Sequence, residues 1–143
     1  MIKSTIQDQM KDAMRARDSV KLETLRFVLS GMKYEEIEKH RELTDEEAID
    51  VLSREVKKRR EAIELFRTSG RDQMVADEES KLAVIMTLLP TQFSKEEVEK
   101  IVEAAIAKVG KENFGAIMKE VTPQTKGKAD GKMVSDVVKA KLL

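Results

Sequence analysis

Leu89-Pro90-Thr91-Gln92-Phe93-Ser94-Lys95-Glu96-Glu97-Val98 is the stretch on which the fold turns. Proline disfavours helix at the residue before it, so one helical run ends near Leu89. Ser94 and Glu97 stand at capping-box spacing, with Phe93 and Val98 as the flanking apolar staple, so another helix starts at once. This stop and start predict an N-terminal helical domain over 1–90 and a C-terminal one over 94–143, joined by the short segment 91–93.

Upstream, apolar residues recur at helical spacing in four runs. The first, with Ile2, Ile6, Met10, Ala13 and Met14, ends near Arg15, with Ser4 and Gln7 a possible capping box. Asp18 or Ser19 caps the second, whose stripe is Leu22, Leu25, Leu29 and Met32 with Ile37 beyond. Phe27, Gly31 and Tyr34 lie on a neighbouring face; Gly31 is either a site of close helix approach or a tolerated defect. Leu43-Thr44-Asp45-Glu46-Glu47-Ala48 combines a capping box with a staple and opens a third helix that runs to Gly70, a residue suited to a left-handed helix end. Asp72 caps a fourth, which Pro90 ends.

Downstream, Val98, Ile101, Val102, Ala105 and Val109 form one stripe closed by Gly110. Asn113 caps a short helix with Phe114, Ile117, Met118 and Val121, which Thr122-Pro123 is expected to stop. Val134, Val137, Val138 and Leu142 mark the last helix. The expected fold is therefore all-α, a four-helix N-terminal bundle followed by a three-helix C-terminal domain. A composition of 41% hydrophobic, 38% charged and 3% aromatic residues suits amphipathic helices with charged outer faces.

Lys+Arg and Asp+Glu balance at 27 each, so no general field drives the chain onto nucleic acid or membrane. There is no cysteine, and the single His40 cannot supply a zinc site, so no metal or other cofactor is called for. No apolar run approaches the ~20 residues of a membrane span, and the expected compartment is the cytoplasm. His40 beside Glu36 reads as a surface ion pair. Lys57-Lys58-Arg59-Arg60 spreads around a helix at ~100° per residue and reads as a solvated, ion-paired face, with Asp50–Arg54 and Glu55–Arg59 at favourable spacing. No phosphate-binding loop, dinucleotide fingerprint or nucleophile elbow occurs, and no catalytic residue is assigned.

The least helical segment is Lys126-Gly127-Lys128-Ala129-Asp130-Gly131-Lys132. From Asn113 onward, Lys119, Lys126, Lys128, Lys132, Lys139 and Lys141 face only Glu120, Asp130 and Asp136, which is six against three. Lysines and close-approaching glycine backbone at Gly127 and Gly131 suit phosphate oxygens, although a plain charged loop is the better reading of these residues taken alone. Asp130 reads as the N-cap of the last helix, accepting from the N–H of Lys132 or Met133. On that reading Asp130→Ala lowers stability by ~1 kcal/mol and leaves RNA binding intact.

Ser53-Arg54-Glu55-Val56-Lys57-Lys58-Arg59-Arg60-Glu61-Ala62, Leu88-Leu89-Pro90-Thr91-Gln92 and Lys126 to Lys132 together resemble, in order and spacing, the YqeY family. The C-terminal half is also similar to the tail domain of GatB, a subunit of the amidotransferase that converts glutamate on mischarged tRNA to glutamine. The resemblance implies an all-helical, non-catalytic tRNA- or RNA-binding accessory. Lys126, Lys128 and Lys132 are its candidate contacts, Lys119 and Lys139 their neighbours, and Gly127, Asp130 and Gly131 shape the turn. Two alternatives stand beside it: part of a glutamine-dependent carbon–nitrogen ligase system, and a helical adaptor for translation-related proteins.

Overall fold

The computed structural model describes residues 1–143 and contains seven helices and no strand. They are α1 (Ile2–Ala16), α2 (Ser19–Lys39), α3 (Asp45–Thr68), α4 (Asp72–Met86), α5 (Lys95–Val109), α6 (Phe114–Thr125) and α7 (Gly131–Lys141). The chain divides into two compact units, Met1–Leu89 with α1 to α4 and Pro90–Leu143 with α5 to α7. No helix is long and apolar enough to cross a membrane.

In the first unit α3 is the longest element, 24 residues or about 36 Å. Its start is fixed reciprocally: the Glu47 N–H donates to Thr44 Oγ1 at 3.2 Å, and the Thr44 N–H donates to Glu47 Oε1 at 3.0 Å. At its end Gly70 takes φ 72°, and the N–H groups of Gly70 and Arg71 donate to the carbonyls of Arg67 and Phe66. These two bonds satisfy carbonyls that the helix leaves unpaired. Ile6 from α1, Leu25 and Met32 from α2, Leu52 from α3 and Ile85 from α4 are all at most 1% exposed, so the four helices share one core.

Several local expectations for this unit are corrected. Ser4 and Gln7 form no capping box; α1 begins after Met1, and the Ser4 hydroxyl donates to the Met1 carbonyl. A tertiary contact serves the helix start instead, with the Ile2 N–H donating to Asp45 Oδ1 at 3.1 Å. Asp72 lies inside α4, after Arg71 at the N-cap. Ile37 is exposed, because five residues beyond Met32 at ~100° each rotates it away from the buried face. His40 is a left-handed residue at the end of α2, and the Glu36 carboxylate turns elsewhere. Within the basic run, Lys57, Lys58 and Arg60 are exposed. Arg59 is engaged by Glu55 at 3.1 Å and Glu78 at 2.8 Å, and its guanidinium lies over the Phe27 ring.

Glu36 ties three parts of the unit together. Its carboxylate accepts from Lys3 Nζ of α1 at 2.7 Å and from the Leu43 N–H before α3 at 3.0 Å. The bond from Lys3, then that from Leu43, holds its pKa below the ordinary 4.5. A carboxylate whose folded pKa is depressed adds stability that is fully present above the unfolded pKa and is lost as pH falls through the folded value. Glu36→Gln is therefore expected to lower the unfolding temperature at pH 7, with the gap to the parent closing below pH ~4. Thermal unfolding of both chains across a pH series checks this.

The second unit packs α5, α6 and α7 around Val98, Val102, Ile117, Val121 and Val138, each fully buried. Ser94 and Glu97 form the capping box of α5, Gly110 closes it at φ 86°, and Asn113 Oδ1 accepts from the Ala116 N–H to cap α6. Pro123 does not stop α6, which continues to Thr125. Proline removes one donor, while the residues beyond it keep theirs. The buried Thr125 hydroxyl donates to the Val121 carbonyl at 3.1 Å, and the Lys126 N–H bonds to Thr122, which secures the last turn.

Candidate functional site

The segment between α6 and α7 is a tight, well-bonded turn. The N–H groups of Lys128 and Ala129 both donate to the Thr125 carbonyl, at 2.8 and 3.0 Å. Gly127 is buried with φ 75°, a conformation in which a side chain is strained. The segment leading into α5 lies alongside: Gln92 Nε2 donates to the Gly127 carbonyl at 2.8 Å, and the Phe93 N–H donates to the Lys128 carbonyl at 2.7 Å. Two stretches of the second unit that are distant in sequence thus meet, Gln92-Phe93 and Gly127-Lys128. The N–H groups of Lys126, Lys128 and Ala129 are taken by the Thr122 and Thr125 carbonyls, so these three are not offered to an anion.

The side chains point outward. Lys126, Lys128 and Lys132 are exposed, Lys128 with its ammonium 5.5 Å from the centre of the Phe93 ring. Lys119 is exposed on α6. Lys139 is exposed on α7 two turns beyond Lys132, with its ammonium 6.0 Å from the Phe114 ring centre. Lys126 and Lys128 thus sit on the turn, Lys132 in the first turn of α7 that follows it, and Lys139 at the other end of α7.

The expected bond at Asp130 is absent. Asp130 occupies the N-cap position of α7, but its side chain accepts no bond from the first turn. It lines an open groove between α5 and α7 with Lys95, Lys132, Glu99, Asp136 and Lys141. The ~1 kcal/mol stability loss attributed to removing a cap has no bond to rest on, and Gly131 is simply the first helical residue. Lys95 is a basic neighbour that sequence reading missed, because only the packing of α5 on α7 brings it beside Lys132. Lys141 is less available to a ligand: Glu103 accepts from it at 2.7 Å, raising its pKa.

Among His, Asp and Glu side chains, no group of three or more is placed to hold a metal ion.

A family model described as Yqey-like protein matches residues 3–142. A protein of Lachancea thermotolerans named Altered inheritance of mitochondria protein 41, mitochondrial, is 27% identical over 146 residues, spanning 98% of this chain and 78% of its own. A protein of the same name from Saccharomyces cerevisiae is 30% identical over 114 residues, 75% of this chain and 62% of its own. An uncharacterized protein of Schizosaccharomyces pombe is 30% identical over 93 residues, 65% of this chain and 76% of its own.

Proposed function

The chain belongs to the YqeY-like protein family, and on that premise we propose that it is a non-catalytic accessory that binds tRNA through the second unit. The observation that carries this reading is the presentation of exposed Lys126 and Lys128 on a turn whose backbone is bonded in place, with exposed Lys132 at the start of the helix that follows. Lys95 and Lys119 extend the basic surface, and Lys139 adds a cation further along α7. The class of ligand is taken from the resemblance, read in the sequence alone, of this half to a tRNA-contacting tail domain.

The chemistry favours phosphates over bases. Both aromatic rings near the lysines, Phe93 and Phe114, already lie under ammonium groups, so they are poorly placed as stacking platforms for bases. Lysines reaching phosphate oxygens fix position without reading sequence. Binding should therefore be strongly salt-dependent and tolerant of tRNA identity. Three to five lysine contacts give a slope of log K against log salt of roughly −2 to −4.5. Filter binding of total tRNA to the full chain across a salt series tests this; affinity insensitive to salt would refute it.

A further inference from the structure

We propose that Gln92 is the positioning residue of the lysine turn, holding Lys126, Lys128 and Lys132 in register for phosphates; the inference rests on the RNA-binding reading above. The side-chain amide of Gln92 donates to two carbonyls at once, Pro90 O and Gly127 O, each at 2.8 Å. With carbonyl oxygens on both sides, the group facing them must be the NH2, whose two hydrogens are both used. The next residue adds a second grip, its N–H on the Lys128 carbonyl at 2.7 Å. The segment 90–93 thus holds two successive carbonyls of the turn, and the Phe93 ring lies under the Lys128 ammonium.

The turn needs such a hold. It carries glycine at 127 and 131, has a left-handed residue at Gly127, and exposes its lysine side chains, so apart from the small Ala129, which packs against the core, its side chains anchor it little. Left unrestrained, it would spread over many conformations, and a ligand would have to order it on binding. A turn fixed beforehand presents its lysines without that cost, the general advantage of preorganisation. Gln92 is 35 residues from Gly127 in sequence, and it is partly buried, so its role is to shape the surface and not to touch the RNA.

Gln92→Met keeps the length of the side chain and removes both donors. In the full chain it is expected to weaken binding of total tRNA about tenfold and to make the salt slope shallower by about 1, as fewer lysines engage together. Amide NMR signals of residues 126–132 should shift while those of α5 and α6 stay in place. Gln124→Met is the control, because Gln124 bonds the Glu120 carbonyl of its own helix, and it should bind like the parent. Unchanged affinity and slope in Gln92→Met, with tRNA binding still abolished by lysine reversal, would overturn the positioning role alone. No binding by the parent would overturn the RNA reading and this inference with it. Should the Met variant fail to fold, Gln92→Asn, which keeps the amide but shortens its reach, decides the matter: weakened binding supports the role, and parental binding with displaced turn signals refutes it.

Discussion

Exchanging Lys126, Lys128 and Lys132 together for glutamate is expected to weaken tRNA binding by on the order of a hundredfold or more at moderate salt. Each exchange removes a phosphate partner and sets a like charge against the backbone, and each lost contact should lower the salt slope by about 1. The protein begins at zero net charge, so three exchanges at two charges each leave it at −6. The control must match that change. Lys57, Lys58 and Arg60 are exposed on α3 of the first unit, and reversing all three alters the net charge equally. If the turn is the contact, this second variant binds nearly as well as the parent. Equal losses in the two variants would mean that overall charge, not the turn, governs binding. The lysines of the turn lie outside the buried core, so circular dichroism should show both proteins fully helical.

The largest effect on stability is expected at Ile117. Its side chain is fully buried among α5, α6 and α7, and the unit it centres is the shorter of the two. Ile117→Ala removes apolar area and leaves a cavity, at ~2–5 kcal/mol, and small units have little stability in reserve. A loss of that size should unfold much of the second unit near body temperature. Ile117→Val, at ~0.5–1.5 kcal/mol, should leave it folded. Urea unfolding followed through amide signals of α5 to α7 separates the outcomes. A loss below ~1 kcal/mol in the alanine variant would mean that the core tolerates collapse around this position.

What could be read from the sequence was whatever is decided within a few residues. Thr44 with Glu47, and Ser94 with Glu97, announced two helix starts through side chains three apart, and both boxes form. Asp18 and Asn113 cap as their positions suggested, and Gly70 and Gly110 end helices where glycine relieves the backbone. The all-helical class followed from apolar spacing alone. Errors arose where a local rule met a tertiary competitor. Pro123 looked like a stop, but a buried threonine two residues later holds the final turn. Asp130 looked like a cap, but its carboxylate shares a groove with lysines from α5 and α7.

The candidate site was legible as residues and illegible as geometry. The lysines of 126–132 read on charge alone as a plain charged loop and became candidates only with the family resemblance, to which Leu88 to Gln92 also contributed, yet nothing in either stretch announces that Gln92 donates to Gly127. Lys95 was hidden for the same reason, since a lysine in the first turn of a helix is unremarkable until α7 lies beside it. Such a contact depends on the packing of three helices, which no short-range pattern encodes.

The most direct measurement is crosslinking of total tRNA to the full chain followed by peptide mapping. The account predicts that lysine crosslinks concentrate at Lys126, Lys128 and Lys132, with Lys95 and Lys119 next, and that they fade as salt rises. Crosslinks confined to Met1–Leu89, or spread evenly over exposed lysines of both units, would contradict it.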